Sequence, residues 1–354
     1  MADIGNLKKG LGSMETTKFC LVGAGRTGLV HGRNIVHGIA AAELTAIVEP
    51  DAQTAQRFFE EVIECRCFPT LGDAISGAEF DAVVICAPTF VHKELTVTAA
   101  RAGKHIFCEK PIALTLDECV EMAGAVEQGG VLFQMGFMRR YDSSFREAKS
   151  QIDGGKIGEV MYVRTFTRGP GLPPDWACNP ETSNGMLAEV NSHDFDCVRW
   201  LTGSEIVEVF AQAGTFKCPE LKQRYPLFYD NAVVTLRMHS GAIATIHGAC
   251  PVSYGYDARA EVLGTEGLLE IGSLRSLDVE RCRRDEGIVS PQSLSWRALF
   301  REAYLEELRS FVDCIRSGKQ PAPTLEDGQK ALAAVIAANQ SIREGRPVKV
   351  TYQP

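Results

Sequence analysis

The feature that most constrains the fold is an alternation of short apolar runs with helical patterns between about Lys18 and Met135. The first run, residues 18–22, ends in a glycine-rich turn and leads into a helical pattern from Arg26 to about Ile39. Further strand candidates follow at residues 44–49, 66–68, 81–86, 105–108 and 131–135. Strands that alternate with helices at short spacing form right-handed βαβ units. The sequence therefore predicts an α/β domain of Rossmann type, with a doubly wound parallel sheet, over residues 14–138.

The pattern changes after about Tyr141. The next part contains, in order, a helix at 142–153, a strand at 159–167, a Pro- and Gly-rich loop at 169–180, one helix-like stretch at 185–201, and strands at 205–216, 230–238, 242–250, 258–264, 267–271 and 276–282. Turns at Ser240-Gly241 and at residues 264–267 are typical of hairpins. We therefore expect an α+β domain over residues 139–295, with a large, mostly antiparallel open sheet. Two helical patterns follow, near 296–316 and 325–344.

The composition is that of an ordinary globular protein, with 45% hydrophobic and 23% charged residues. A net charge of −8 argues against binding to nucleic acid or to an anionic membrane. No apolar run approaches the ~20 residues that span a bilayer, and no apolar signal core is seen near the start. The twelve cysteines are scattered, which favours buried thiols in a reducing cytoplasm. Residues 1–13, which end in Gly12-Ser13 before Met14, are typical of a cloning leader.

The glycine-rich turn, residues 23–28, has the pattern that binds a dinucleotide. Gly23, Gly25 and Gly28 allow the tight bend and the close backbone approach that a pyrophosphate needs. The helix that starts at Arg26 and Thr27 directs its free N–H groups at the same point. Because the turn follows a strand and opens a helix, we expect these five residues to bind the cofactor. The alternative is a purely structural glycine turn.

Glu49 ends the second predicted strand and indicates which dinucleotide binds. A carboxylate at this position binds both ribose hydroxyls of NAD and repels the 2′-phosphate of NADP. The sequence therefore predicts NAD, with NADP less favoured, although a basic neighbour such as Arg26 can override this preference. The alternative for Glu49 is an ordinary surface acid.

Lys110 follows the fifth predicted strand, in the run Glu109-Lys110-Pro111. Ligands of open α/β sheets bind at the carboxyl ends of the strands, so Lys110 is placed to meet substrate beside a nicotinamide ring. An ammonium group there donates to a substrate hydroxyl and stabilises a developing alkoxide. A solvated surface lysine is the alternative, and it would be favoured if Lys110 were considered alone.

Glu189 and His193 are further candidate catalytic residues. If residues 185–201 form one helix, these side chains are i,i+4 neighbours on one face. A histidine that titrates near neutrality takes a proton from a hydroxyl, and a carboxylate beside it orients the ring or binds a neighbouring hydroxyl. A capping or core histidine is one alternative. A metal site with Asp196 is another, but no HExxH pattern accompanies it, and we predict no metal.

These motifs together resemble the glucose–fructose oxidoreductase / inositol dehydrogenase (Gfo/Idh/MocA) family. The resemblance extends from about Lys18 through the C-terminal helices. It is carried by the glycine turn, by Ala87-Pro88-Thr89 with His92, by residues 102–111, by the stretch Gly136–Asp142, by the helix Gly185–Gly203 and by residues 264–267. The stretch Gly136–Asp142 is especially similar to the inositol dehydrogenase branch.

The resemblance implies that Lys110 and His193 form the catalytic pair. From its place near His193 we expect Glu189 to be the third catalytic residue. The resemblance also implies that the cofactor contacts extend to a further set of residues, namely Ala87, Pro88, Thr89, His92 and Glu109. The C-terminal helices, about 296–345, are implied to pack back on the nucleotide-binding domain. One position departs from the family pattern, because Asp commonly stands where this chain has Glu189.

The loop before residue 180 and the stretch after the sixth strand offer candidate substrate contacts. Trp176, beside Asp175, presents a flat face that suits the C–H surface of a sugar or cyclitol, and packing of the loop is an equal alternative. Arg139, with Met138 beside it, is a candidate for a substrate hydroxyl or carboxylate, and a surface salt bridge is the equal alternative. We expect Lys110, Glu189 and His193 to complete the substrate site.

The sequence as a whole predicts an NAD-dependent dehydrogenase that oxidises a ring hydroxyl of a cyclitol or sugar to a ketone. One rival is another enzyme on the same fold, either an NAD-using glycosidase or an oxidoreductase with tightly held cofactor. The other is a non-catalytic dinucleotide or sugar sensor. We expect a cytoplasmic homodimer or homotetramer that associates through the sheet of the second domain, since an open sheet face needs covering.

Overall fold

A computed structural model describes residues 16–275, 279–285 and 287–352. The proposed leader, residues 1–13, and part of the strand candidate 276–282 lie outside these ranges. The first domain is built on a six-stranded parallel sheet in the order β3-β2-β1-β4-β5-β6. Its strands are β1 Thr17–Val22, β2 Ala42–Val48, β3 Arg66–Phe68, β4 Ala82–Ile85, β5 His105–Glu109 and β6 Phe133–Gly136. The doubly wound Rossmann sheet expected from the sequence is confirmed.

Helices connect these strands on both faces of the sheet. They are α1 Arg26–Arg33, which continues as a π-helical turn Asn34–Gly38, then α2 Ala52–Glu61, α3 Leu71–Gly77, α4 His92–Arg101 and α5 Leu116–Gly129. Local sequence explains the ends of several helices. Asp51 accepts a hydrogen bond from the N–H of Thr54 at the start of α2, and Thr115 and Glu118 form a capping box on α5. Helix α3 was not predicted, because its seven residues are too few to show a clear apolar period.

The second domain has a seven-stranded mixed sheet. Its strands are β7 Val160–Arg168, β8 Ile206–Gly214, β9 Asn231–Met238, β10 Ile243–Ala249, β11 Asp257–Gly264, β12 Leu268–Ile271 and β15 Val348–Lys349. They lie in the order β12-β11-β7-β10-β9-β8-β15, and only β7 and β10 pair in parallel. Both predicted hairpins form, between β9 and β10 and between β11 and β12. A separate ribbon joins β13 Arg281–Arg283 to β14 Gly287–Val289.

Helices cover one face of this sheet and connect it to the first domain. In chain order they are α6 Ser143–Asp153, α7 Asp175–Cys178, α8 Pro180–Ser183, α9 Gly185–Glu189, α10 Ser192–Thr202, α11 Pro219–Arg224, α12 Trp296–Leu299, α13 Arg301–Ser317 and α14 Leu325–Glu344. Two 3₁₀ turns, Thr89–Val91 and Met138–Tyr141, lie near the boundary of the domains. Among the helices that the structure describes, none is long and apolar enough to cross a membrane.

Helix α13 packs on the first domain. Leu308, Phe311 and Val312 belong to the same apolar cluster as Phe19 of β1 and Phe107 of β5. Helix α14 contacts α10 and β8 of the second domain as well as α5 and β6 of the first. Helix α14 therefore joins the two domains.

We expected one helix over residues 185–201, but the structure has two. Helix α9 ends at Glu189 and α10 starts at Ser192, with Val190 and Asn191 between them. The Asn191 side chain donates to the carboxylate of Asp194 at 2.7 Å. Its amide packs directly on β10, since a Cβ at Gly248 would lie 2.0 Å from the Asn191 Oδ1. This tertiary contact holds Asn191 at the break, where sequence periodicity gives no signal.

Candidate active site

A cavity of about 710 Å³ lies between the two domains, at the carboxyl ends of β1, β4 and β5. Most of the residues singled out from the sequence line it. They are Gly23, Gly25, Arg26, Thr27, Glu49, Ala87, Pro88, Thr89, Glu109, Lys110, Met138, Trp176, Glu189 and His193. The structure therefore brings the dinucleotide motif and the candidate catalytic residues to one cleft.

The glycine turn forms one end of the cavity. Gly23 adopts φ +91°, and a Cβ at this residue would lie 2.8 Å from the backbone nitrogen of Ala87. Gly28 lies beneath the turn, where a Cβ would be 2.1 Å from the Gly23 carbonyl oxygen. Gly25 faces open space, because a Cβ there would meet no heavy atom within 4 Å. The turn thus leaves room for a ligand at the N-terminus of α1, where the free N–H groups favour an anionic pyrophosphate.

Glu49 is fixed at the rim of the same end. Its carboxylate accepts the backbone N–H of Ala24 at 2.9 Å and that of Asp51 at 3.0 Å. These bonds hold the side chain beside the glycine turn, where the ribose hydroxyls of a dinucleotide lie in this fold. The open cradle at Gly25 and the anchored carboxylate together fit NAD.

Lys110 leaves β5 and reaches the break between α9 and α10. Its Nζ donates to the backbone carbonyl oxygen of Glu189 at 2.7 Å. In a continuous helix that carbonyl would accept the N–H of His193. The break frees it for the ammonium group, so the irregular backbone helps to place Lys110 beside His193.

The Glu189 side chain is partly buried and bonds to the first domain. Its Oε1 accepts from the hydroxyl of Thr89 at 2.8 Å. Burial raises the pKa of Glu189 to about 7, while Lys110 and the Thr89 hydrogen bond oppose the shift. We expected Glu189 either to orient the His193 ring or to bind a neighbouring hydroxyl. Among the hydrogen bonds of the described residues none joins the side chains of Glu189 and His193, so the structure offers no direct bond for the first role.

His193 is buried at the wall of the cavity. Its ring packs edge-on against Phe137 at 5.9 Å between centroids, and its Nδ1 has no hydrogen-bond partner among the described residues. Burial lowers the pKa of His193 well below its ordinary value, and the positive charges of Lys110 and Arg139 lower it further. The imidazole is therefore neutral at pH 7 and able to accept a proton.

Three predicted contacts do not line the cavity. Arg139 is fully buried and donates to Asp194 at 2.8 Å and to Thr167 at 2.5 Å, so it is neither a substrate contact nor a surface salt bridge. His92 bonds the carbonyl oxygens of Pro111 and Ala87, both at 2.8 Å, and supports two cavity loops from behind. Gly28 supports the glycine turn in the same indirect way.

Trp176 lines the cavity on the side of the second domain and packs edge-on against Phe90, with 5.9 Å between ring centroids. Both readings of this residue therefore find support, since it borders the site and also anchors its loop. Its neighbour Asp175 points elsewhere and pairs with Arg224 at 2.8 Å.

Other lining residues were missed by sequence reasoning. They are chiefly Thr167, Tyr256, Tyr304 and the segment 294–297 with Trp296 and Arg297. Trp296 and Arg297 come from the start of α12, far along the chain from the glycine turn, and belong to no motif. Only the tertiary fold brings this segment over the cofactor end of the cavity.

The fold and the site define a two-domain oxidoreductase with a dinucleotide-binding domain. Family models agree: residues 17–137 match the oxidoreductase family, NAD-binding Rossmann fold, and residues 149–350 match the C-terminal alpha/beta domain of the same family. The chain belongs to the Gfo/Idh/MocA oxidoreductase family.

Similar proteins include several inositol dehydrogenases. The scyllo-inositol 2-dehydrogenase (NAD(+)) of Bacillus subtilis is 35% identical over 344 residues, covering 95% of this chain and 97% of that protein. An inositol 2-dehydrogenase of Rhizobium meliloti is 36% identical over 337 residues, covering 95% and 99%. A structure of scyllo-inositol dehydrogenase from Lactobacillus casei with bound NAD(H) and scyllo-inositol aligns with a TM-score of 0.88 at 29% identity, covering 95% of this chain and 99% of that chain.

Proposed function

We propose that this protein is an NAD-dependent dehydrogenase that oxidises a ring hydroxyl of an inositol to the corresponding ketone. The observation that carries the proposal is the convergence of Lys110 and His193 in the cleft that also contains the glycine turn. The names of the relatives, which are inositol and scyllo-inositol 2-dehydrogenases, favour a cyclitol over an aldose as substrate.

In the proposed mechanism the basic side chain and the cationic side chain, His193 and Lys110, have separate roles. When bound, NAD⁺ supplies the acceptor for the hydride that leaves the carbinol carbon. The neutral imidazole of His193 takes the hydroxyl proton, and the Lys110 ammonium group stabilises the negative charge that develops on the oxygen. In the reverse direction the same two groups return a proton to the carbonyl oxygen.

In this proposal Glu189 has the second of its two expected roles, binding of a neighbouring hydroxyl, and it also positions Lys110. Its carboxylate is held by Thr89, and its carbonyl oxygen holds Lys110. It therefore positions the ammonium group through its backbone and presents its carboxylate to a hydroxyl next to the reacting one.

NADH formation, followed by its absorbance, tests the function. Purified protein is mixed with NAD⁺ or NADP⁺ and with inositols, aldoses and glycosides. We expect turnover with NAD⁺ and at least one inositol. Lys110→Ala should lower kcat by about 100-fold or more, as loss of one charge-stabilising donor does. Lys93→Ala, which removes a surface lysine paired with Glu121, is the matched control.

Other outcomes would favour the rival functions. Cleavage of a glycoside without net NADH would indicate the glycosidase. NADH that forms only in a single burst would indicate an oxidoreductase with tightly held cofactor. Binding of NAD⁺ without turnover on any member of the panel would indicate a sensor and would contradict the dehydrogenase.

We also propose that the protein is a cytoplasmic homo-oligomer, a dimer or a tetramer, which associates through the open face of the second sheet. That face carries exposed apolar side chains on the neighbouring strands β9 and β10, among them Val233 and Ile243, which are 47% and 52% exposed. A second copy would cover them. The twelve cysteines are unbridged, which fits a reducing compartment.

A further inference from the structure

A buried cluster of three titratable side chains lies beneath the cofactor end of the cavity. It consists of His31 from α1, Glu109 from the end of β5 and Glu307 from α13, and all three side chains are buried. The His31 Nε2 is 2.7 Å from Glu109 Oε1 and 4.0 Å from Glu307 Oε1. The mechanism proposed above uses none of these groups directly, although Glu109 precedes Lys110.

Glu109 links this cluster to the backbone of Lys110. Its Oε2 accepts the Lys110 N–H at 3.2 Å, and its Oε1 accepts from His31. The carboxylate also packs against β6, since a Cβ at Gly136 would lie 3.1 Å from the Glu109 carboxyl carbon. One side of Glu109 is therefore fixed by packing and the other by His31, so His31 sets the orientation of the group that holds the Lys110 peptide.

Glu307 faces this pair with an unsatisfied carboxyl group. It is fully buried, and neither of its oxygens has a hydrogen-bond partner among the described residues. An ionised carboxylate in that position, opposite the charge of Glu109, is strongly disfavoured. The titratable groups around it are His31, Glu109, Cys86, Tyr141 and Tyr304. Burial and the charge of Glu109 raise the pKa of Glu307 well above its ordinary value.

The distances among His31, Glu109 and Glu307 fit a hydrogen bond better than they fit a shared metal ion. Ligands of a tetrahedral zinc lie about 3.3 Å apart, as follows from metal–ligand distances of about 2.0–2.1 Å. Here one separation is 2.7 Å, the length of a hydrogen bond, and another is 4.0 Å. The geometry is therefore that of a His31–Glu109 hydrogen bond beside an uncharged acid.

We propose that His31 and Glu307 are positioning residues for Lys110. His31 donates a hydrogen bond to the Glu109 carboxylate, and Glu307 stays an uncharged carboxylic acid beside that carboxylate. Glu109, fixed in this way, holds the Lys110 backbone. The positioning role rests on the proposed dehydrogenase function. The protonation state of Glu307 is independent of that function, and a separate experiment tests it.

Kinetics of four variants test the positioning role. His31→Gln should lower kcat by about 10- to 100-fold, the cost of a small misplacement of a catalytic group, with the KM for inositol nearly unchanged. Glu307→Leu should lower kcat similarly, and Glu307→Gln, which keeps the shape and lack of charge, should restore kcat to within about threefold of wild type. His37→Gln, on the exposed turn after α1, is the matched control. Equal losses for Glu307→Gln and Glu307→Leu would overturn the proposal.

Infrared spectroscopy tests the uncharged state without any turnover. At about pH 8, above the pKa of about 7 of Glu189, wild type minus Glu307→Gln should show the carbonyl stretch of one buried protonated carboxyl. If Glu307→Gln does not fold, a pH series of the wild-type band gives the same information. Absence of the band, or one equivalent of bound metal by elemental analysis of the purified protein, would overturn the proposal. Failure of wild type to form NADH while the band is present would contradict the dehydrogenase function and not the state of Glu307.

Discussion

At the scale of single residues, Glu189 makes the stability of the protein depend on pH. Its pKa is raised to about 7 in the folded state, chiefly by burial, from about 4.3 in an unfolded chain. The stability that this proton contributes is fully present below the unfolded pKa and is lost as the pH rises through about 7. Glu189→Gln abolishes this dependence.

The difference in unfolding free energy between wild type and Glu189→Gln isolates this effect, because His193 and other groups titrate in both proteins. We expect the wild type to lose stability relative to the variant by about 2–3 kcal/mol between pH 5 and pH 9, with most of the change between pH 5 and pH 7. Urea denaturation at several pH values measures it. A difference that is constant with pH would contradict the raised pKa.

The buried pair of Arg139 and Asp194 is a second feature at this scale. Arg139→Met leaves the Asp194 carboxylate buried with Thr167 and Asn191 as its remaining side-chain donors among the described residues. We expect a loss of about 3–5 kcal/mol of stability, the usual cost of breaking a buried ion pair. Arg224→Met, which breaks the exposed pair with Asp175, should cost at most about 1 kcal/mol. Denaturant unfolding compares the two, and equal effects would be inconsistent with a structural role for Arg139.

At the scale of elements, two glycines of one turn should behave differently when each is changed to alanine. Gly28→Ala places a Cβ 2.1 Å from the Gly23 carbonyl oxygen, so it must distort the β1–α1 turn and destabilise the domain by more than about 1 kcal/mol. Gly25→Ala meets no protein atom within 4 Å, so it should unfold like wild type while its methyl group obstructs the pyrophosphate.

Thermal unfolding without cofactor and titration with NADH separate these effects. We expect a lowered Tm for Gly28→Ala, and for Gly25→Ala an unchanged Tm with affinity weakened by about tenfold or more. A loss of stability in Gly25→Ala equal to that in Gly28→Ala would contradict the geometry of the turn.

The helices and strands also show how much of the structure could be predicted from the sequence. The strands and helices of the first domain other than α3 were predictable because each carries its own signal, such as the Asp51 cap of α2 or the capping box of Thr115. The break between α9 and α10 was not, because Asn191 is held by β10, which follows much later in the chain. Arg139 was misjudged for the same reason, since its partner Asp194 lies on another helix. The cofactor-end segment with Arg297 carries no motif, and only the fold brings it to the cavity.

At the scale of the whole molecule, the open sheet face should decide the oligomeric state. We expect a variant with both Val233→Glu and Ile243→Glu to be a folded monomer in light scattering, while wild type is a dimer or tetramer. Two added carboxylates on a face that a second copy would bury must lose their hydration, which opposes association. Leu227→Glu, at a residue 50% exposed outside the sheet, is the control. A monomeric wild type would contradict association through this face.

The packing of α13 on the first domain has a consequence for how the protein is made. Phe19 and Phe107 lie in a nucleotide-binding sheet that is synthesised early, but their partners Phe311 and Val312 leave the ribosome only after residues 139–295. Until then the nascent sheet presents an uncovered apolar face, the kind of surface that chaperones bind. Translation that stalls between the end of β6 and α13 thus yields a chain that contains every strand of the Rossmann sheet and still requires a holding chaperone.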